Sequence, residues 1–244
     1  MIAILKKELR SMFLSPLAYV VIGGFTFLSA FSFLSSTLAS MTSDVTSFFS
    51  SLVLWIIIIV AILSMKIFSD EKKSKTDQLL LTSPVSLTQI VLGKFLASYI
   101  VYLISMAITF IYMLIVVIFG QLEWGIVFAN YLGLFLLGAA VVSIGVFVSS
   151  LTESALVSAL LTLIILFLSY LASSFAYVIV SFTTGLPEII VSGISSFIGV
   201  LAIFDKYNTF ASGMLDFTAI VYYLSITAIF LFLTVRVFEK RRWS

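Results

Sequence analysis

Cysteine and histidine are both absent from this chain of 244 residues. Their absence excludes disulfides, thiol nucleophiles, imidazole bases and the common zinc sites. Charge is also scarce, because Asp, Glu, Lys and Arg make up 10% of the residues, against about 25% in a typical soluble domain. The net charge of +2 gives no strong field that would attract nucleic acid, so we expect no nucleic-acid partner.

The chain is rich in long apolar stretches: 62% of its residues are hydrophobic and the mean hydropathy is +1.26. Charged residues divide it into uncharged stretches of 19 to 34 residues. Because a helix crosses the hydrocarbon core with about 20 residues, the pattern predicts an all-α polytopic membrane protein with six spans in a single domain, residues 1–244. The spans are placed near residues 17–38, 48–67, 95–119, 127–149, 155–181 and 217–237.

The distribution of Lys and Arg predicts the orientation of these spans. Six crossings leave both termini on one side, and twelve of the thirteen cations then lie on that side, with Lys206 alone on the other. Cations concentrate on the cytoplasmic side, so we expect cytoplasmic termini in a bacterial plasma membrane. The twelve are Lys6, Lys7, Arg10, Lys66, Lys72, Lys73, Lys75, Lys94, Arg236, Lys240, Arg241 and Arg242.

Two segments offer alternatives to six spans. Residues 189–204 form an uncharged stretch of 16 residues, short for a crossing, and a seventh span would export the basic C-terminus. We therefore predict an outer-face helical hairpin over residues 182–216. The first span follows a basic start, as in a signal peptide. Its apolar stretch of about 22 residues exceeds the 7–15 of a signal's core, so we expect it to be retained as a helix.

Residues 1–14 form an amphipathic segment before the first span. Ile2, Leu5, Leu9 and Phe13 recur at helical spacing, and the cations point elsewhere. The pattern predicts a helix lying in the cytoplasmic membrane interface. The alternative is an ordinary basic flank that only orients the first span.

The cytoplasmic loop 68–94 contains two capping-box patterns. Ser74 with Asp77 predicts a helix that begins near Ser74, and Pro84 keeps it short. Ser86 with Gln89 predicts the start of the next span. The loop therefore carries a short helix between the second and third spans, with three consecutive leucines at 79–81.

The sequence TDQLLLTSPV at 76–85, followed by LGKF at 92–95, resembles type-2 ATP-binding-cassette (ABC) exporter permeases. Three further segments agree: SSLTE at 149–153 is similar to the inner turn between spans four and five, residues 204–224 to the entry to span six, and EKRRW at 239–243 to the basic end. Many members carry Gly and Glu near the positions of Lys75 and Asp77. The chain departs from this pattern at Lys75. The resemblance is nearest to the small gliding-motility-type permeases.

The resemblance implies partners and a site. A dimer of ABC ATPase subunits and a second permease chain, identical or related, would complete the transporter in the lipid bilayer. ATP and Mg²⁺ would bind the ATPase, because this chain has no Gly-x-x-x-x-Gly-Lys-Ser/Thr motif, and we expect no enzymatic activity of its own. The short helix would couple to the ATPase, with the following coupling residues: Asp70, Glu71, Thr76, Asp77, Leu79, Leu80, Leu81, Thr82 and Pro84.

Other residues and functions were weighed against this interpretation. Glu153 is interpreted as the partner of Ser150 in a capping box rather than a proton relay, and Asp216 as a helix N-terminal charge rather than a gate. Gly145 and Ser149 form a small-xxx-small pair that suggests close helix packing. No charged residue lies mid-span, which disfavours an ion-driven carrier and favours an apolar or amphipathic substrate. The alternatives are an intramembrane enzyme and a non-transporting envelope assembly or mechanical module.

Overall fold

A computed structural model describes residues 1–41, 45–75, 86–182 and 199–243. Regular structure among these residues is entirely helical, as the composition predicts. The helices are α1 (Ile2–Leu14), α2 (Pro16–Phe33), α3 (Thr46–Ser64), α4 (Ser69–Lys73), α5 (Leu87–Phe119), α6 (Trp124–Leu151), α7 (Ala155–Phe182), α8 (Tyr207–Ala211) and α9 (Phe217–Trp243). A π-helical turn, Leu34–Leu38, continues α2.

Six helices in the described ranges, α2, α3, α5, α6, α7 and α9, are long and apolar enough to cross a membrane. They confirm the six predicted spans. Helix α5 begins at Leu87, eight residues before the expected crossing at 95. Its 33 residues extend about 50 Å at 1.5 Å per residue, against a hydrocarbon core of about 30 Å. Helix α5 is therefore longer than a perpendicular crossing requires.

Helix α6 lies at the centre of the bundle, in contact with α3, α5, α7, α8 and α9. Two of its glycines allow neighbouring helices to approach closely. A Cβ added to Gly138 would lie 2.1 Å from the Tyr102 ring of α5, and one added to Gly145 would lie 2.4 Å from Ser64 Oγ of α3. The expectation of close packing at Gly145 is therefore confirmed. Tyr102 is held in place because its hydroxyl donates to the Leu134 carbonyl at 2.8 Å.

The structure confirms the helix starts predicted at Asp216 and Ser86 but not the capping box predicted at Ser150. Asp216 caps α9, since its Oδ1 accepts from the Thr218 N–H at 2.8 Å. Ser86 is the N-cap residue of α5, although its hydroxyl contacts Thr88 Oγ1 rather than the backbone. The Ser150–Glu153 capping box is wrong: Ser150 lies inside α6 and donates to the Phe147 carbonyl at 2.6 Å. Within an apolar helix, a serine hydroxyl is satisfied by its own preceding turn.

Helix α1 is present where the amphipathic pattern predicts it, but its buried face differs. Ile4, Leu9, Met12 and Phe13 pack against the core, whereas Ile2 is 65% exposed. The predicted face included Ile2 because the spacing alone does not show where neighbouring helices lie. Only Ser15, in extended conformation, separates α1 from α2, and its Oγ accepts from the Leu17 N–H at 3.4 Å.

Much of the predicted outer hairpin, and most of the rival seventh span, lies within residues 183–198, outside the described ranges. The part that is described, residues 199–216, contains turns and α8. Helix α8 packs against α6 and α3. It therefore lies over the end of the bundle opposite to α1 and α4.

Candidate functional site

The short helix α4 lies at the end of the bundle that carries α1 and the start of α5, which we call the basic end. It follows α3 after a turn and leads into residues 76–85. Its first turn contains Asp70 and Glu71, and its last turn Lys72 and Lys73. This order suits the helix dipole. Of the predicted coupling residues, Asp70 and Glu71 are therefore in α4, while Thr76, Asp77, Leu79, Leu80, Leu81, Thr82 and Pro84 lie outside the described residues.

Ser74 follows the end of α4, and its Oγ donates to the Asp70 carbonyl at 2.8 Å. The short helix predicted to begin near Ser74 falls on residues 76–85, outside the described residues. Lys75 comes next with φ of 56°, a left-handed conformation that costs a residue with a Cβ about 1–2 kcal/mol. This is the position at which the resembling permeases often have glycine. The departure at Lys75 therefore falls on a backbone conformation that glycine adopts without a Cβ penalty.

The N-terminus of α4 is capped by a residue from another helix. Ser149, fully buried in α6, accepts hydrogen bonds through Oγ from the Phe68 N–H at 3.0 Å and the Ser69 N–H at 3.3 Å. The first N–H groups of a helix have no partner within it. Ser149 thus fixes the start of α4 to the central helix of the bundle.

A single ammonium joins α1, the turn before α4, α4 itself and α5. Lys94 Nζ donates to Glu8 Oε1 at 3.1 Å, Glu71 Oε1 at 2.8 Å and the Ile67 carbonyl at 2.9 Å. The side chain of Lys94 is 2% exposed, while those of Glu8 and Glu71 are 12% and 19% exposed. We call Glu8, Glu71 and Lys94 the Lys94 cluster.

The surroundings of the Lys94 cluster balance its charge. Lys7 Nζ lies 3.5 Å from Glu8 Oε1, so that this oxygen is shared by an exposed and a buried cation. Lys94 Nζ also lies 5.1 Å from the centroid of the Phe68 ring, which gives a cation–π contact. A groove of about 270 Å³ beside the cluster is lined in part by Lys7, Lys66 and Asp70. Two acids and two cations at the cluster thus leave it close to neutral.

Two apolar contacts also hold the helices together around α4. A Cβ added to Gly93 would lie 2.9 Å from Ile4 Cγ2, so α1 lies directly against the first turns of α5. The ring centroids of Phe68 and Phe238 are 4.6 Å apart, which brings the end of α9 to the turn before α4. Helix α4 and its preceding turn are therefore tied to α1, α5, α6 and α9.

The sequence predicts a role at this site for Glu71 but not for Glu8 or Phe68. Lys94 is predicted only as a topology-setting cation and as part of the LGKF segment. The partners of Lys94 are 86 and 23 residues away along the chain. One feature of the sequence could have singled out Lys94. It is the only charged residue of α5, with uncharged residues 87–93 before it and 28 uncharged residues after it.

The opposite end of the bundle contains a second buried polar contact. The Tyr207 hydroxyl of α8 donates to Asn130 Oδ1 of α6 at 2.6 Å, and both residues are buried. Burial is the main cause that raises the pKa of Tyr207 well above its usual value. Nearby, a cavity of about 260 Å³ is lined by residues that include Tyr170, Asp205 and Asn208. The contact fixes α8 to α6.

Comparison with known protein families gives a match that spans almost the whole chain. The model of the family described as "ABC-2 family transporter protein" matches residues 2–243. No curated protein matches the chain.

Proposed function

The chain belongs to the ABC-2 transporter family, and on that basis we propose that it is the permease subunit of an ATP-driven exporter. The observation that carries the coupling mechanism is the attachment of α4. Two residues, Ser74 and Lys75, separate the end of α4 from residues 76–85. Helix α4 with its preceding turn is bound to α1, α5, α6 and α9. A displacement of residues 76–85 is therefore passed to four helices of the bundle.

The coupling segment in this proposal is residues 69–85. Asp70 and Glu71 lie in the helix at its start. The part that meets the ATPase comprises Thr76, Asp77, Leu79, Leu80, Leu81, Thr82 and Pro84. ATP and Mg²⁺ bind the separate ATPase dimer, whose closure moves the coupling segment and drives alternating access. The permease itself performs no catalysis.

The orientation and assembly follow from charge and family. Twelve of thirteen cations lie at the termini and in the loops on their side of the predicted spans, which supports cytoplasmic termini in a bacterial plasma membrane. Helix α1 is placed in the cytoplasmic interface, with Lys6, Lys7 and Arg10 near lipid head groups. A second permease chain, identical or related, completes the pore. Within the family we assign the chain to the small gliding-motility type.

The substrate class in this proposal is apolar or amphipathic. A cavity of about 420 Å³ between α5 and α6 is lined almost wholly by apolar side chains. Its lining residues are Leu103, Met106, Ala107, Phe110, Tyr131, Leu134 and Phe135. The hydroxyl of Tyr131 is the polar group in that lining, and it contacts Thr109 Oγ1 at 3.0 Å. Such a cavity suits an acyl chain or another apolar group.

The test is copurification with the ATPase. A tagged chain extracted from its native membrane is expected to bring an ABC ATPase with it, and the complex to hydrolyse ATP. Changing Leu79, Leu80 and Leu81 together to Gln should abolish copurification. The matched control changes Met214 and Leu215, exposed apolar residues at the opposite end, to Gln and should retain the ATPase.

Two results would contradict parts of the proposal. Full ATP hydrolysis with copurification in the three-leucine variant would remove the coupling role from this segment. An intact complex in liposomes whose ATPase activity no amphipathic substrate stimulates would favour a mechanical or assembly module over export.

A further inference from the structure

The Lys94 cluster joins α1 and α4, two helices that are far apart along the chain. Glu8 belongs to α1 and Glu71 to α4, and the same ammonium binds both. An ammonium has three N–H donors, and Lys94 directs them to Glu8, Glu71 and the Ile67 carbonyl. Each donor has one acceptor, so the geometry fixes α1 relative to the turn, to α4 and to α5 at the same time.

Stability alone is a weak explanation for this arrangement. A buried ion pair commonly contributes little more than apolar residues of similar volume would. Here the ammonium is almost completely buried while its two carboxylates stay partly exposed. A buried charge network is better attested as a device that selects one arrangement of the elements it joins.

The connection from α1 to the first span is equally short. Ser15 is the single residue between α1 and α2, and Pro16 opens α2 with its backbone dihedral φ restricted. The Ser15 hydroxyl also donates to the Met12 carbonyl of α1 at 3.0 Å. A movement of α1 is therefore passed directly to α2.

We propose that Lys94 is a positioning residue that holds α1 and α4 as one body, so that α1 is a moving part of the coupling machinery and not a passive anchor on the membrane. A displacement of residues 76–85 then carries α4, α1 and, through Ser15, α2. That the ATPase causes this displacement rests on the proposed function. The attachment of α1 to α4 does not depend on the proposed function.

The informative variant neutralises the whole cluster. Lys94→Gln alone leaves two carboxylates facing each other, and their repulsion is expected to separate α1 from α4 even without a positioning role for Lys94. The triple variant Lys94→Met, Glu8→Gln, Glu71→Gln keeps similar volumes and removes all three charges of the cluster, which is the kind of replacement that folded proteins tolerate. Lys7 loses its contact with Glu8, but its side chain is 66% exposed and stays solvated. Lys6→Gln, a change at an exposed lysine on α1, is the control.

The absence of native cysteine allows spin labels at single introduced cysteines. Labels at Ala3→Cys on α1 and Lys73→Cys on α4, both exposed positions, report their distance in the chain reconstituted in vesicles and diluted with unlabelled chain. We expect one narrow distance distribution in the parent chain and in Lys6→Gln. The triple variant should broaden it. An equally narrow distribution in the triple variant would overturn the proposal.

A second distance separates movement from folding. In the complex with its ATPase, trapped with ADP and vanadate, labels at Ala3→Cys and at Ser154→Cys, an exposed residue between α6 and α7, should shift their distance. The triple variant should lose this shift while a Lys73–Ser154 label pair still shifts. Retention of the α1 shift in the triple variant would overturn the proposal. Absence of both shifts in the parent complex would contradict the ATPase coupling and leave the first measurement to decide the attachment.

Discussion

Ser149 on α6 accepts the Phe68 N–H at 3.0 Å and thereby caps a helix to which it is not adjacent in sequence. The same oxygen accepts the Ser69 N–H at 3.3 Å. Caps are usually supplied by the residue just before the helix. Here the cap comes from the central helix of the bundle, so the start of α4 is attached to the core as well as to the span before it.

Replacing Ser149 with Ala should therefore loosen α4. Two buried N–H groups lose their acceptor, and an unsatisfied buried group costs about 1–3 kcal/mol. We expect a lower melting temperature in detergent and faster proteolysis within residues 69–85. Ser143→Ala is the matched control, because that buried serine on the same helix donates to its own helix at Ala140. Equal effects of the two changes would contradict the capping role.

Gly138 should be intolerant of a side chain. An added Cβ would meet the Tyr102 ring at 2.1 Å, and Tyr102 is fully buried with its hydroxyl bonded to Leu134. Overpacking of this kind costs about 1–3 kcal/mol or more, so Gly138→Ala should lower the melting temperature clearly. Gly125→Ala on the same helix meets no atom within 4 Å and should raise stability by up to about 1 kcal/mol. Rescue of Gly138→Ala by Tyr102→Leu would identify the clash as the cause.

Lys75→Gly should relieve backbone strain. The residue has φ of 56°, and glycine adopts this conformation without the Cβ penalty of about 1–2 kcal/mol. The greater freedom of glycine in the unfolded chain offsets about 0.5–1 kcal/mol of that gain. We expect a small net increase in the free energy of unfolding. Met41→Gly, at the other non-glycine residue with positive φ in the described ranges, should behave alike, and a loss of stability in both would refute the strain argument.

Tyr207→Phe should change the response of stability to alkaline pH. Burial raises the pKa of Tyr207 in the folded protein well above the usual 10.0, so the folded state resists losing the proton that the unfolded state releases above pH 10. Its contribution is therefore fully present below that pH and is lost as pH rises through the folded pKa. Unfolding midpoints measured from pH 8 to 11 should fall less steeply in Tyr207→Phe. The variant should also be less stable at pH 8, because Asn130 Oδ1 loses its donor.

The six spans could be predicted because lipid imposes a length and excludes charge, and both features are visible in the positions of charged residues along the chain. The contacts that hold α4 could not be predicted, since they depend on which helices meet. Lys94 has the same sequence signature as a topology-setting lysine, and only the packing of α1 against Gly93 brings Glu8 to it. The predicted cap at Ser150 is wrong because α6 continues past this residue to Leu151. Ser150 therefore lies at the end of one helix and not at the start of the next.

The central claim, that residues 76–85 contact an ATPase, is tested most directly by photocrosslinking. A photoactivatable residue at Leu80 in the full chain, irradiated in native membranes, should form an adduct of permease plus ABC ATPase that the same residue at Leu215 does not form. An adduct at Leu80 that contains only lipid or a second permease chain, with the ATPase absent, would contradict the account.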